Sequence, residues 1–245
     1  MISRKIFDDG DHAWIALGRD PNKPDEIIDT NEYAIISGDE VMLLDPGGTE
    51  IFPSVLSTMT ENIRLENVKK LLCSHQDPDI LSSMPLWLGL CPEAKVYIPW
   101  VWQGFIPHFG KECANNFEIV PDKELTIPIG NNGKEVKIIP AHFLHSPGNL
   151  NLYDPSSKIL FSGDIGSALV PADSSLFVDD FEKHVQYMEK FHIRWMPSNE
   201  HKKVWINRIR RLSPDMICPQ HGSIFTGKDV QRFLDWLETL DVGKY

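Results

Sequence analysis

The segment His75-Gln76-Asp77-Pro78-Asp79-Ile80 sets one imidazole and two carboxylates in close succession, directly after the apolar run Val68 to Ser74. Alternate side chains of an extended chain project to one side, so His75, Asp77 and Asp79 are expected to converge. Imidazole and carboxylate together are the donors of a metal site. A polar turn capped by Asx hydrogen bonds would use the same residue types, but three further polar residues fall at the ends of expected strands. They are His145 in His145-Ser146-Pro147-Gly148-Asn149, Asp164 in Gly163-Asp164-Ile165-Gly166, and His221 in Pro219-Gln220-His221-Gly222. Layered sheets gather ligands at strand C-termini, which makes these six residues the candidate ligands. His142, just before His145, competes with it. The Ser-Pro-Gly turn after His145 favours His145, and both are expected to line the cleft. His12, His108, His184, His192 and His201 show no ligand spacing, and Asp45, before Pro46-Gly47-Gly48, is expected to support its loop by hydrogen bonding.

The elements that must position these residues are legible in outline. His12 to Leu17, Tyr33 to Ser37 and Val41 to Asp45 read as strands, the last two joined by a Gly38-Asp39 turn. A helix is expected from about Glu50 to Ile63, then a strand over Val68 to Ser74 with both faces covered. Lys95 to Pro99, Leu125 to Ile129, Val136 to Pro140, Asn151 to Tyr153 and Ile159 to Ser162 read as further strands, and Met216 to Cys218 as a lone one. From about Asp179 the pattern becomes helical, clearest at Val230, Phe233, Leu234 and Leu237, which share one helix face. Strands early and helices around them give an α+β class with layered sheets. Without repeats or linker-like runs, residues 1–245 are expected to form a single domain.

Composition narrows the partners. The 245 residues carry 24 Lys and Arg against 35 Asp and Glu, a net charge of −11, with 42% hydrophobic residues. That balance argues against nucleic acid or an anionic membrane as the main partner, since both need a basic face. The basic stretch Lys202-Lys203 to Arg211 reads as a solvated helix face that could also dock an acidic electron donor or receptor. No stretch approaches the length of a membrane span and the first residues lack a signal-peptide pattern, so the expected location is cytoplasmic. Cys73, Cys91, Cys113 and Cys218 form no C-x-x-C pair and read as core thiols. Trp87, Trp100 and Trp102 could roof the site, though core packing is the commoner use of such residues.

The H-x-D-x-D motif, followed by His145, Asp164 and His221, resembles the metallo-β-lactamase fold, and its carboxylate in place of a second His resembles the flavo-diiron branch. Asp45-Pro46-Gly47, Ser82-Ser83-Met84-Pro85 and Leu160-Phe161-Ser162-Gly163-Asp164 add to the likeness. The resemblance implies a four-layer αββα sandwich with a dinuclear site at one edge. It puts His75, Asp77 and His145 on one iron, Asp79 and His221 on the other, and Asp164 between them. Two departures are visible. Ile80 stands where the pattern continues with a His, and no flavodoxin domain follows, so no FMN is expected on this chain. The implied function is a non-haem diiron protein that binds O2 reversibly or reduces it slowly, as an oxygen sensor with an external electron donor, resembling the oxygen-binding diiron proteins found beside chemotaxis receptors.

Charge supports iron independently of the resemblance. Three carboxylates leave two divalent ions at 4 − 3 = +1 and two trivalent ions at 6 − 3 = +3, so oxidation creates a demand that a reduced oxygen ligand meets. Zinc in the same ligands would activate water for hydrolysis instead. A zinc hydrolase of the same fold is therefore one alternative, although it should offer a His at position 77 or 80, where this chain has Asp77 and Ile80. The other is an O2 or NO reductase served by a separate flavin or rubredoxin partner. Ile80 is expected to leave an open coordination position beside an apolar wall, suited to a small diatomic. A homodimer is compatible with all of these readings.

Overall fold

The computed structural model describes residues 1–20, 23 and 27–244. One sheet runs in spatial order β1 (Ile2–Asp8), β2 (His12–Gly18), β3 (Glu32–Ser37), β4 (Glu40–Leu44), β5 (Val68–Leu72), β6 (Lys95–Pro99) and β7 (Phe117–Val120). Neighbours are antiparallel from β1 to β4 and parallel from β4 to β7. The second sheet runs β8 (Leu125–Ile129), β9 (Lys134–Pro140), β10 (Leu150–Asp154), β11 (Ile159–Gly163), β12 (Met216–Pro219) and β13 (Phe225–Thr226), antiparallel throughout except for β11 with β12. Helices α1 (Phe52–Thr60), α2 (Pro78–Leu81) and α3 (Met84–Leu90) attend the first sheet, and α4 (Phe181–Trp195), α5 (Asn199–Leu212) and α6 (Lys228–Thr239) the second.

Side-chain alternation sorts the apolar residues into three cores. On β2, Trp14 and Ala16 face the other sheet and Ile15 and Leu17 face the helices. On β9, Ile138 points between the sheets and Ile139 toward α5 and α6. Val55, Met59 and Trp87 cover the first sheet, and Met188, Trp205, Ile206, Phe233 and Leu234 cover the second. The result is the expected αββα layering, and it explains why strands such as β2 and β4 read as unbroken apolar runs: both faces of each sheet are covered. A buried polar junction joins the sheets across the central core. Asp154 Oδ2 accepts from Trp14 Nε1 at 2.7 Å and from Ser157 Oγ at 2.5 Å, and lies 2.7 Å from His12 Nε2.

Several boundaries differ from the sequence expectation. The first helix is shorter, Phe52–Thr60, and β5 stops at Leu72. Met216–Pro219 is no lone strand: β11 pairs with it in parallel and β13 antiparallel. β1, β7 and β13 were not expected, because their residues are largely exposed or the strand is very short. The chain after His75 is not extended as far as Asp79. Pro78, with its fixed φ, opens the helical turn α2, so Asp79 sits on that turn rather than in line with His75 and Asp77.

Candidate metal centre

β5 delivers the chain to Ser74 and His75 at one edge of the sandwich. Asp45, after β4, accepts from Ser74 N at 2.7 Å and from Ser74 Oγ at 2.7 Å. That uses the one hydroxyl proton of Ser74, so the 2.9 Å contact between Ser74 Oγ and His75 Nδ1 has the ring nitrogen donating. Nε2 of His75 is left to face the centre. Asp45 thus supports the loop and does not enter the donor cluster, as expected from its sequence context.

Nε2 of His75 lies 3.5 Å from Asp77 Oδ2 and 3.6 Å from Asp164 Oδ2, and Nε2 of His145 lies 3.4 and 2.9 Å from the same two oxygens. The second group is smaller. His221 Nε2 stands 3.3 Å from Asp79 Oδ2 and 3.4 Å from Asp164 Oδ1. Asp164 therefore shows one oxygen to each group. Pro78 sends Asp77 and Asp79 to opposite sides of it, which an extended segment would not have done.

The supports around these side chains were not legible in the sequence. Gln76 joins two loops, its Nε2 donating to Asp77 Oδ1 and its Oε1 accepting from Ser146 Oγ, both at 2.7 Å. His221 Nδ1 donates to the Asp29 carbonyl at 2.9 Å, and the buried Arg19 clamps that neighbourhood through Asp29 Oδ2 and the Gly222 carbonyl. Gln220 Nε2 donates to Asp79 Oδ2 at 3.3 Å. Two of these residues adjoin the motifs, which was the available signal; Arg19 and Asp29 gave none. Gly148 allows Val101 and Trp102 to close over the loop after His145, because a Cβ there would come within 2.2 Å of Val101 Cγ1.

His142 is not brought into the cluster. Its Nε2 pairs with Asp122 Oδ1 at 2.9 Å, and it lines a separate cavity with Leu144, His201 and Arg208. The expectation that it lines the cleft with His145 is corrected accordingly: the turn from Ala141 to Asn149 carries the two rings to different places. Ile80 is fully buried in the apolar core under the first sheet and adds no donor beside Asp79. Trp87 is core, donating to the Pro46 carbonyl, and Trp100 is half exposed. The basic stretch of α5 is mostly committed: Lys202 is buried with Nζ on the Leu240 carbonyl, Arg208 donates to the Pro140 carbonyl, and Arg210 pairs with Asp235 and Glu238.

The donor set fits metal ions. Two donors about 2.1 Å from one ion, at roughly 90 to 110°, stand about 3.0 to 3.4 Å apart, close to the separations seen here. His75 Nε2 is buried without a hydrogen bond, an uncommon and costly condition that a bound cation relieves. Burial lowers the pKa of His145, yet the Asp164 and Asp77 carboxylates outweigh it and raise the value to about 10. His221 is likewise raised to about 9, against burial, by Asp79 and Asp164. Asp77 and Asp164 are held below the usual carboxylate range, again against burial, by the facing histidines. The cluster is organised around positive charge. His75, Asp77, His145 and Asp164 bring their donor atoms within 4.8 Å of one another.

A family profile described as "ODP family beta lactamase" matches residues 28–222. The chain belongs to this family. Two solved structures of the chemotaxis sensor ODP agree over nearly the whole chain. The peroxy diiron species is 39% identical with a TM-score of 0.88, covering 99% of this chain and 97% of that one. The apo state from T. denticola is 40% identical with a TM-score of 0.86, covering 99% and 96%. The rubredoxin oxygen:oxidoreductase of Desulfovibrio gigas shares the fold at 20% identity, with a TM-score of 0.81 over 97% of this chain and 62% of that one. Among curated sequences, diflavin flavoprotein A 1 of Synechocystis is 22% identical over 85% of this chain, and the rubredoxin-oxygen oxidoreductase of Megalodesulfovibrio gigas 22% over 87%. This chain spans 36% and 54% of those two relatives' lengths. The fold is the metallo-β-lactamase-like core that the ODP family shares with flavo-diiron proteins. Among the described residues no helix is long and apolar enough to cross a membrane.

Proposed function

We propose that this ODP-family chain is an oxygen-binding non-haem diiron protein that serves as an oxygen sensor in a chemotaxis system, with electrons supplied by a separate donor. The observation that carries the reading is Asp164, whose Oδ2 faces His75 and His145 while Oδ1 faces His221. A carboxylate so divided is suited to hold two ions side by side. In this assignment His75, Asp77 and His145 hold one ion and Asp79 and His221 the other, with Asp164 shared. When bound, a pair of irons supplies the electrons that dioxygen chemistry needs. The likeness to the chemotaxis sensor ODP at 39 to 40% identity supports both the metal and the signalling role.

The protein's own residues prepare the place. Ser74 and the Asp29 carbonyl fix which nitrogen of His75 and His221 faces inward, so neither ring must turn to accept a metal. Gln76 and Gln220 hold the two motif carboxylates toward their respective groups. Asp77 and Asp79, each 30% exposed, mark the open side of the centre, whereas His75 and Asp164 are closed off. The second group has one donor fewer, because Ile80 follows Asp79 without a coordinating atom, and that vacancy gives a small ligand its position.

Metal content after anaerobic purification tests the reading. Two irons per chain are expected, with a visible absorption appearing on exposure to air and little iron lost. One metal, or zinc, sinks the diiron assignment; two irons without optical change sink the oxygen-binding role. Hydrolytic assays with phosphodiester, lactone and β-lactam substrates should stay near background.

A further inference from the structure

The three imidazoles of the centre differ in what lies behind them. His75 backs onto Ser74 and His221 onto the Asp29 carbonyl. His145 instead carries an aromatic ring on its outer side. The indole of Trp195 is stacked on it, with 5.3 Å between centroids and 30° between planes. Phe191 packs beside both rings, 6.0 Å from His145 and 6.1 Å from Trp195. On its inner side His145 meets His75 edge-on at 4.8 Å, and its Nε2 stands 2.9 Å from Asp164.

Trp195 ends α4, beyond the buried stripe of Phe181, His184, Met188 and His192, where the helix passes the core and reaches the centre. It is 56% exposed although one face lies against His145. Among the described residues no other surface ring stacks on an imidazole of the cluster. Phe143, the exposed aromatic nearest in sequence to His145, packs on His201 instead. A continuous path of π systems therefore leads from solvent to a candidate metal ligand, apart from the Asp77 and Asp79 opening.

We propose that Trp195 is the electron-entry residue of the centre. A reduced free flavin contacts the exposed indole, and its electrons pass through the stacked His145 ring to the metal pair. The planar flavin suits an exposed aromatic face, since offset ring stacking favours such contacts. One flavin hydroquinone gives up two electrons, one to each ferric ion, and releases two protons to solvent as it becomes oxidised flavin. This rests on the reading of the centre as an iron pair. Trp195 acts through His145 and is a positioning residue for electron transfer.

Trp195→Met keeps bulk against His145 without a ring, and Trp195→Phe keeps a ring; Phe143→Leu is the neighbouring control. Binding of oxidised flavin to the metal-free protein, followed as the shift of the flavin visible absorption on titration, is expected with wild type, Trp195→Phe and Phe143→Leu, and much weakened in Trp195→Met. Because this arm needs no metal, it decides the contact even where iron loading fails. In the iron-loaded protein, anaerobic reduction by photoreduced flavin should slow about tenfold in Trp195→Met, the effect of roughly 1.4 kcal/mol on the barrier, and recover in Trp195→Phe. Iron content and the rate of the optical response to air should match wild type. Undiminished flavin binding or reduction in Trp195→Met, or an equal loss in Phe143→Leu, overturns the proposal.

Discussion

Asp164 Oδ2 lies 2.9 Å from His145 Nε2, although β10 and β11 separate the two residues in the chain. The other oxygen of Asp164 faces His221, so one side chain belongs to both donor groups. Asp164→Ala should therefore abolish binding of both metals, while His75→Ala should empty mainly one. Metal analysis of the two variants checks this. Retention of two metals by Asp164→Ala would show that the carboxylate does not bridge. The gain in thermal stability on metal loading should vanish with the metals, since an ion that binds only the folded state stabilises it by mass action.

Ile80 follows Asp79 on α2 and is fully buried. Ile80→His should add an imidazole to the second group, tighten that ion and slow oxygen association, leaving the ion held by His75, Asp77 and His145 unchanged. Oxygen association and metal dissociation measured side by side decide it. Unchanged values for both would mean that position 80 does not govern the vacancy.

The Asp154 carboxylate gathers His12, Trp14 and Ser157 at the inter-sheet core. Asp154→Ala leaves three buried polar groups without their partner, a change that costs about 3 to 5 kcal/mol when a buried pair is broken. The expected result is a lower denaturant midpoint in the metal-free protein. Iron affinity, measured below the unfolding range, should change little, because the junction lies away from the donor cluster. A midpoint equal to wild type would mean that the network contributes nothing net.

His192 is fully buried, its Nδ1 donating to the Met188 carbonyl at 2.7 Å and its Nε2 accepting from Gly166 N at 2.9 Å. Burial pushes its pKa down from 6.5 to about 4. In the unfolded chain the ring takes up a proton near pH 6.5, and in the folded chain only near pH 4, so acidification favours unfolding across that window. The stability is present above pH 6.5 and lost as pH falls toward 4. Between about pH 7 and about pH 5 the metal-free wild type should lose roughly 2 kcal/mol more than His192→Gln. Parallel unfolding free energies for the two proteins would show that His192 does not titrate in this way.

Local chemistry in the chain determined a good deal. His12 to Leu17 and Ile159 to Ser162 read as strands and are strands, and β6 and β8 fall on the expected residues; the strand expected to be covered on both faces, from Val68, leaves Lys69 exposed. The six candidate donor residues were legible because His and Asp at strand ends, in that order, have few other uses. Tertiary structure decided how they divide. Pro78 turns the chain into α2 and sends Asp77 and Asp79 to opposite groups, whereas period-two alternation predicts one side for both. His142 and His145 are the same residue type three positions apart, and the Ser-Pro-Gly turn no more than favours His145; the path of their loop puts one beside Asp122 and the other beside Asp164. Gln76, Arg19 and Trp195 matter through contacts with partners distant in sequence, set by how sheets and helices pack. Linear spacing encodes the repeat within one element, and it carries no information about which side of one element meets the end of another.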